Sequence, residues 1–120
     1  MRPHERLDVW NNAIELVTTI YRNTRAFPSD ERFGLTSQIR RAAVSIPANI
    51  AEGAARNSSN EFRYFLSNAQ GSASELETEI LIAQRLGYIS AETYAAVRAE
   101  IDSIGRMIIG LSQSIERKRL

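Results

Sequence analysis

The chain has 120 residues, no cysteine, and 15 basic against 14 acidic side chains, which gives a net charge of +1. The length suits one domain with its own core, and the near-neutral charge provides no overall field to attract nucleic acid or a membrane. The lack of cysteine excludes disulfides and thiolate metal sites, and we expect a cytoplasmic protein. The N-terminal segment offers no signal-peptide apolar region, and no run approaches the roughly 18 to 20 apolar residues of a membrane span.

The first predicted helix covers about residues 3–26. Apolar side chains recur along it at alternating spacings of three and four, which predicts a stripe that faces the core of a helical bundle. The stripe consists of Leu7, Trp10, Ile14, Val17, Tyr21 and Thr24. Pro28 ends this helix, because proline cannot continue a helix and disfavours helical geometry at Phe27 before it.

The second predicted helix covers about residues 30–55 and contains a proline, Pro47. The core stripe consists of Leu35, Ile39, Ala42, Ala43, Ile46 and Ile50. Proline removes one backbone hydrogen bond and crowds the preceding turn, so we expect a kink at Pro47. The alternative, two helices broken at Pro47, is less favoured because the apolar period continues without a change of phase.

The third predicted helix covers about residues 59–86, and Ser58 with Glu61 fits a capping box at its start. Its core stripe consists of Phe62, Leu66, Ala69, Ala73, Leu76, Ile80 and Ala83. The regular alternation of four and three residues is the clearest heptad pattern in the chain.

The fourth predicted helix covers about residues 91–117, after a short turn in which Gly87 ends one helix and Ser90 caps the next. Its core stripe consists of Tyr94, Val97, Ile101, Ile104, Ile108, Leu111 and Ile115. Four such helices joined by short connections predict an all-α domain spanning residues 1–120, an antiparallel up-down-up-down four-helix bundle.

Two helices carry more apolar surface than one core stripe requires. On the first helix a second line runs about 80–100° from the core stripe, and the second helix repeats the feature beside Arg40. Exposed patches of this kind indicate association between copies of the chain, and the alternative is a wide core face. The candidate oligomer interface consists of Val9, Ala13, Leu16, Ile20, Phe33, Val44 and Pro47.

The residues offer little for catalysis, cofactors or metals. His4 is the one histidine, so the Glu-x-x-His pairs of di-metal bundles and a histidine-activated nucleophile are both missing. Glu75 and Glu79 share one flank of the third helix, where we expect a solvated or arginine-paired face rather than a metal site. We therefore predict that the chain is not an enzyme.

Arginine supplies 14 of the 15 basic residues, and residues 32–56 carry an excess charge of +3. Guanidinium groups bind phosphate and carboxylate in a bidentate manner. The candidate contacts with RNA or another anionic partner are Arg40, Arg41, Arg56 and Arg63, together with the basic tail of residues 117–120. Two alternatives remain: ion pairs with Glu75 or Glu79, and an arginine bias that merely reflects a GC-rich genome.

A long segment is distinctive beyond its helical period. Residues 31–53 read Glu-Arg-Phe-Gly-Leu-Thr-Ser-Gln-Ile-Arg-Arg-Ala-Ala-Val-Ser-Ile-Pro-Ala-Asn-Ile-Ala-Glu-Gly, and Leu86-Gly87-Tyr88-Ile89 follows later. These residues closely resemble the signature of a bacterial four-helix bundle family named for proteins encoded in intervening sequences of 23S ribosomal RNA genes. The resemblance implies a homopentamer. It also implies a relationship with the accessory protein of diversity-generating retroelements, a basic barrel that binds a reverse transcriptase and associates with RNA; the present chain is nearly neutral by comparison.

These observations lead to one functional hypothesis and its rivals. The chain is expected to be a non-catalytic homo-oligomeric scaffold that binds structured RNA or an RNA-associated protein. The main alternative is a protein-only adaptor without nucleic-acid binding, and a small-molecule or metal enzyme is a third class.

Overall fold

The computed structural model describes residues 1–119. This part of the chain contains no strand. It consists of two 3₁₀ helices, Pro3–Arg6 and Ser29–Glu31, and four α-helices: α1 (Asp8–Thr24), α2 (Leu35–Ala54), α3 (Ser59–Arg85) and α4 (Ala91–Arg119). The predicted all-α class with four helices is therefore confirmed.

Consecutive helices pack side by side in opposite directions. On α2 and α3, the hydroxyl oxygens of Ser45 and Ser72 lie 2.8 Å apart, while the end of α2 meets the start of α3. At one end of the α3–α4 pair, the Tyr94 hydroxyl donates to Glu77 at 3.2 Å, and at the other Arg63 pairs with the end of α4. The fourth side is closed by α1 and α4, where the Asn12 amide contacts the Met107 sulfur at 3.2 Å.

The core uses the face of α1 that was predicted to lie outside it. Val9, Ala13, Leu16 and Ile20 are at most 4% exposed, so the prediction that they form a surface for oligomerisation is wrong. Most of the predicted core stripe is instead only partly buried: Ile14, for example, is 37% exposed, whereas Thr24 is buried as predicted. Both faces of α1 are apolar, and the observed rotation places Leu16 and Ile20 inward and leaves the aromatic Trp10 and Tyr21 at the margin.

The core stripes of α2, α3 and α4 are confirmed in their buried central positions, including Ile39, Leu76 and Ile104. Pro47 is also buried, so its predicted place on an outward surface is wrong. It lies inside one continuous α2 rather than between two helices, as the uninterrupted apolar period indicated. None of the described helices combines the length and hydrophobicity that are needed to cross a bilayer.

Two helices begin later than predicted. Residues near Pro3 form a 3₁₀ helix, and α1 starts only at Asp8 because Leu7 is extended, with φ −90° and ψ 124°. Likewise, the 3₁₀ helix Ser29–Glu31 precedes α2. The Glu31 carboxylate accepts hydrogen bonds from the Leu35 amide at 3.2 Å and the Tyr88 hydroxyl at 2.9 Å, which raises the pKa of Tyr88.

The predicted caps are confirmed. The Ser58 hydroxyl accepts from the Glu61 amide at 3.2 Å, and the Ser90 hydroxyl accepts from the Thr93 amide at 3.0 Å. Gly87 follows α3 with φ +81°, the left-handed geometry that glycine adopts without a steric penalty.

Near its end, α2 approaches α3 closely at Gly53. A Cβ atom at this position would lie 2.9 Å from the Cβ of Phe65 and 3.2 Å from the carbonyl oxygen of Phe62. Glycine therefore sets the spacing of the two helices at their turn.

Candidate functional site

A concave surface lies where α1 and α2 meet, near the link that joins them. It encloses about 630 Å³, and we call it the basic groove. Gly34 is the N-cap of α2, so Arg32 and Phe33 stand in the link immediately before that helix. The basic groove is lined by Tyr21, Arg32, Phe33, Thr36, Ser37, Arg40, Arg41, Val44 and Ser45.

Arg40 is held in the basic groove by α1. Its Nε donates a hydrogen bond to the Thr24 hydroxyl at 2.9 Å, and its guanidinium carbon stands 4.5 Å from the centroid of the Tyr21 ring. The buried Thr24 hydroxyl in turn donates to the Ile20 carbonyl at 2.8 Å. The guanidinium group is thus placed by a hydrogen bond and a cation–π contact rather than by an opposite charge.

The other two cations of the basic groove are less constrained. The guanidinium carbon of Arg32 lies 5.3 Å from the centroid of the Phe33 ring, and Arg41 is exposed on α2. Within residues 1–119, neither these arginines nor Arg40 forms an ion pair, and no acidic side chain lines the basic groove. Three uncompensated positive charges therefore create a field that favours an anionic ligand.

Apolar side chains accompany these charges. Phe33 is 89% exposed and Val44 is 42% exposed, and both lie off the core as predicted. Their predicted contact with another copy of the chain stays a prediction. A large exposed aromatic side chain beside unpaired arginines offers both a stacking surface and phosphate donors, a combination typical of nucleic-acid-binding surfaces.

The remaining predicted arginines lie at the opposite end of α2. Ala54, the last residue of α2, is about 20 Å along the helix from Arg41, calculated from the helical rise, and Arg56 lies just beyond it. Arg56 forms an ion pair with Glu52 at 2.8 Å and stands 4.9 Å from the Phe65 ring centroid. Arg63 pairs with Glu116 at 2.7 Å. The four candidate arginines therefore form two separate pairs. Arg40 and Arg41 have no ion-pair partner in the described chain, whereas Arg56 and Arg63 are neutralised by Glu52 and Glu116 and not by the predicted Glu75 and Glu79.

The charged tail is close to the neutralised pair rather than to the basic groove. Arg117 and Lys118 are at the end of α4, one turn or less beyond the Glu116 partner of Arg63. The last residue of the predicted basic tail, Leu120, lies outside the described residues.

One carboxyl group is buried within the bundle. Glu79 is 7% exposed, and its Oε1 has no hydrogen-bond partner among the described residues. Burial, followed by the hydrogen bond and charge of Glu75, raises the pKa of Glu79 to about 7. The predicted solvated or arginine-paired face is therefore wrong for Glu79. Residues 1–119 contain no cluster of three or more potential metal ligands of the His, Cys, Asp and Glu types.

Two contributors to the basic groove were not predicted from the sequence. Tyr21 was assigned to the core, but it is 40% exposed, and its ring forms a cation–π contact with Arg40. Arg32 was counted only in the local charge excess. The available signal was the Arg32-Phe33 pair itself, a cation beside an aromatic residue that belongs to no predicted core stripe.

Comparison with known proteins identifies a family and solved structures with a similar fold. A family model described as 23S rRNA-intervening sequence protein matches residues 5–110. A crystal structure of a protein of unknown function from the S23 ribosomal protein family of Bacteroides thetaiotaomicron VPI-5482 is similar with a TM-score of 0.80 and 26% identity, covering 87% of this chain and 97% of that chain. No curated protein matches. The family match includes every residue of the basic groove.

Proposed function

Because the chain belongs to the 23S rRNA-intervening sequence protein family, we propose that it is a non-catalytic cytoplasmic scaffold that assembles with copies of itself and binds RNA. The observation that carries the proposal is the basic groove. Arg32, Arg40 and Arg41 line it together with no acidic side chain among the described lining residues, and phosphate is the anion that repeats along an RNA strand. The one histidine in the sequence, His4, packs against the Trp10 ring with a centroid distance of 4.8 Å, away from the basic groove.

A pair of charge-reversal variants tests where RNA binds. The Arg32→Glu/Arg41→Glu double variant is expected to weaken binding of a labelled RNA at least tenfold at 150 mM salt, because two phosphate donors become repulsive. The measurement is fluorescence anisotropy with nuclease-treated protein. The slope of log affinity against log salt should also become shallower, by about 0.7 for each lost contact with a single strand.

The matched control is Arg56→Glu/Arg63→Glu, which makes the same change in charge at the neutralised pair. It should weaken binding no more than about threefold, since the Debye length at this salt concentration is about 8 Å, far less than the distance between the two pairs. Equal losses of RNA affinity in both variants would show that RNA responds only to the overall charge of the protein and not to the basic groove. No RNA binding by the native chain would favour the protein-only adaptor.

We propose that self-association, expected to give a homopentamer, uses the partly exposed apolar stripe of α1 that contains Trp10, Ile14 and Val17. Ile14 is 37% exposed there, between the partly buried Trp10 and Val17. A single chain leaves this apolar surface in water, and a second copy would cover it.

Light scattering tests the assembly. The native chain is expected to have the mass of about five chains, and Ile14→Glu should reduce this mass because it places a charge on the apolar stripe. The control Ile109→Glu alters a similarly exposed isoleucine, 47% exposed on α4, and should leave the mass unchanged. A monomeric native chain, or a mass unaffected by Ile14→Glu, would contradict the proposal.

A further inference from the structure

The basic groove contains a feature that phosphate binding alone does not require. Phe33 is 89% exposed, the largest exposed fraction among the large apolar side chains described in the structure. It stands before the first turn of α2, with the Arg32 guanidinium carbon 5.3 Å from its ring centroid. An aromatic ring so exposed to water, and flanked by cations, has the chemistry of a stacking platform for a nucleobase.

A second arginine–aromatic pair lies across the same groove. The Arg40 guanidinium carbon is 4.5 Å from the Tyr21 ring centroid, and its Nε is fixed by Thr24. The basic groove thus combines two aromatic rings with three positive charges and no lining carboxylate among the described residues. A ligand that presents flat apolar faces and regularly spaced negative charges complements this arrangement.

The form of RNA follows from these complementary surfaces. In a double helix the faces of the bases are stacked on one another, and a protein reaches mainly phosphates and 2′-hydroxyl groups. Phe33 could gain little from a duplex, whereas an unpaired base can stack on its ring. The volume of about 630 Å³ falls within the range of pockets that hold small molecules, about 300 to 1,000 Å³, and accommodates roughly one or two nucleotides rather than the side of a duplex.

Resting on the proposed RNA-binding function, we infer that the basic groove binds an unpaired RNA segment, with a base stacked on Phe33 and the adjoining phosphates paired with Arg40 and Arg41. The Arg32 guanidinium group stands over the Phe33 ring and contributes to the positive field that attracts the strand. Since every base has a stacking face, the contact selects unpaired over paired RNA and discriminates only weakly between base sequences.

The test compares a labelled single-stranded 12-nucleotide RNA of mixed sequence with the blunt duplex of the same sequence. The native chain is expected to bind the single strand more tightly than the duplex. Phe33→Ala should weaken binding of the single strand about tenfold and leave duplex binding unchanged, because only the stacking contact is removed. Since Phe33 is almost fully exposed, the variant should keep the native melting temperature and oligomeric mass.

The Phe33→Trp variant supplies a second readout. It should retain tight binding of the single strand, and its introduced indole should lose fluorescence when a base stacks on it. The native chain, whose one tryptophan is Trp10, provides the background signal. The duplex should produce no comparable quenching.

The outcomes separate this inference from the proposal that it rests on. RNA binding that is equal for the two forms, with Phe33→Ala affecting neither, would overturn the stacking inference and leave RNA binding standing. Failure of the native chain to bind either RNA would overturn both. A fall in oligomeric mass in Phe33→Ala would also overturn the inference, because the ring would then belong to an interface between copies.

Discussion

Gly53→Ala is expected to lower the free energy of unfolding by about 1–3 kcal/mol, the usual range for overpacking a tight contact. The added methyl group would lie 2.9 Å from the Phe65 Cβ and 3.2 Å from the Phe62 carbonyl oxygen. A rotamer change can relieve neither clash, because a Cβ atom does not move when its side chain rotates and the carbonyl oxygen belongs to the backbone of α3. The helices must separate at their turn, and urea denaturation of the native and variant chains would measure the cost.

Gly71→Ala is the matched control for this prediction. Gly71 is exposed in the middle of α3, and a Cβ atom there would meet nothing within 4 Å. Alanine should therefore raise the free energy of unfolding by about 0.5–1 kcal/mol through its higher helix propensity. The same chemical change is expected to have opposite signs at the two positions. A stabilising effect at Gly53 would show that α2 and α3 are not in the close contact described.

Replacing Glu79 by glutamine is expected to remove a pH-dependent loss of stability. Burial raises the pKa of Glu79 from 4.5 to about 7 in the folded chain, so the folded state retains its proton over a range where the unfolded state releases it. Unfolded chains then bind fewer protons, and the free energy of unfolding falls as the pH rises from about 4.5 to 7. With 1.36 kcal/mol per pKa unit, the fall contributed by Glu79 is about 3 kcal/mol.

The neutral Glu79→Gln variant should lack this contribution. It should resemble the native chain in stability near pH 4.5 and exceed it by about 3 kcal/mol at pH 8, because the native chain then unfolds from a state that holds a buried carboxylate. Urea denaturation at several pH values gives the difference between the two chains. Glu92→Gln, which removes an exposed carboxylate at the start of α4, is the control. An unchanged pH dependence in Glu79→Gln would place the titration elsewhere.

The sequence was sufficient to predict the core stripes of α2, α3 and α4 and insufficient to predict that of α1. In α3 the heptad of Leu66, Ala73 and Ile80 has no rival face, and these residues are buried as predicted. In α1 the lines through Leu16 and through Ile14 are both apolar. Periodicity determines that such a helix is amphipathic, but which line faces inward depends on its rotation against α2 and α4, and this is a tertiary effect.

Only part of the candidate site was predicted, because ion-pair partners, like the rotation of a helix, depend on tertiary packing. Arg40 and Arg41 were recognised from local charge, and the structure places both in the basic groove. Arg56 and Arg63 carry the same charge, but their carboxylate partners are fixed by packing at the end of the bundle. Glu79 was misjudged because a carboxylate beside a core stripe is normally turned toward water, and only the packed neighbours show that this one is not.

The unequal lengths of the helices have a consequence for local unfolding. With Asn12 opposite Met107, the start of α1 at Asp8 lies near Leu111, so the last eight residues of α4 that the structure describes extend about 12 Å beyond it. The 3₁₀ helix Pro3–Arg6 packs on α1 and α2 and does not fill this space. Arg63 of α3 contacts these turns through Ser112 and Glu116, and Ile115 is the one large apolar side chain among them that packs against the core in the described chain. Their amide hydrogens should exchange with deuterium by fraying, long before those around Ile104 require the whole bundle to open.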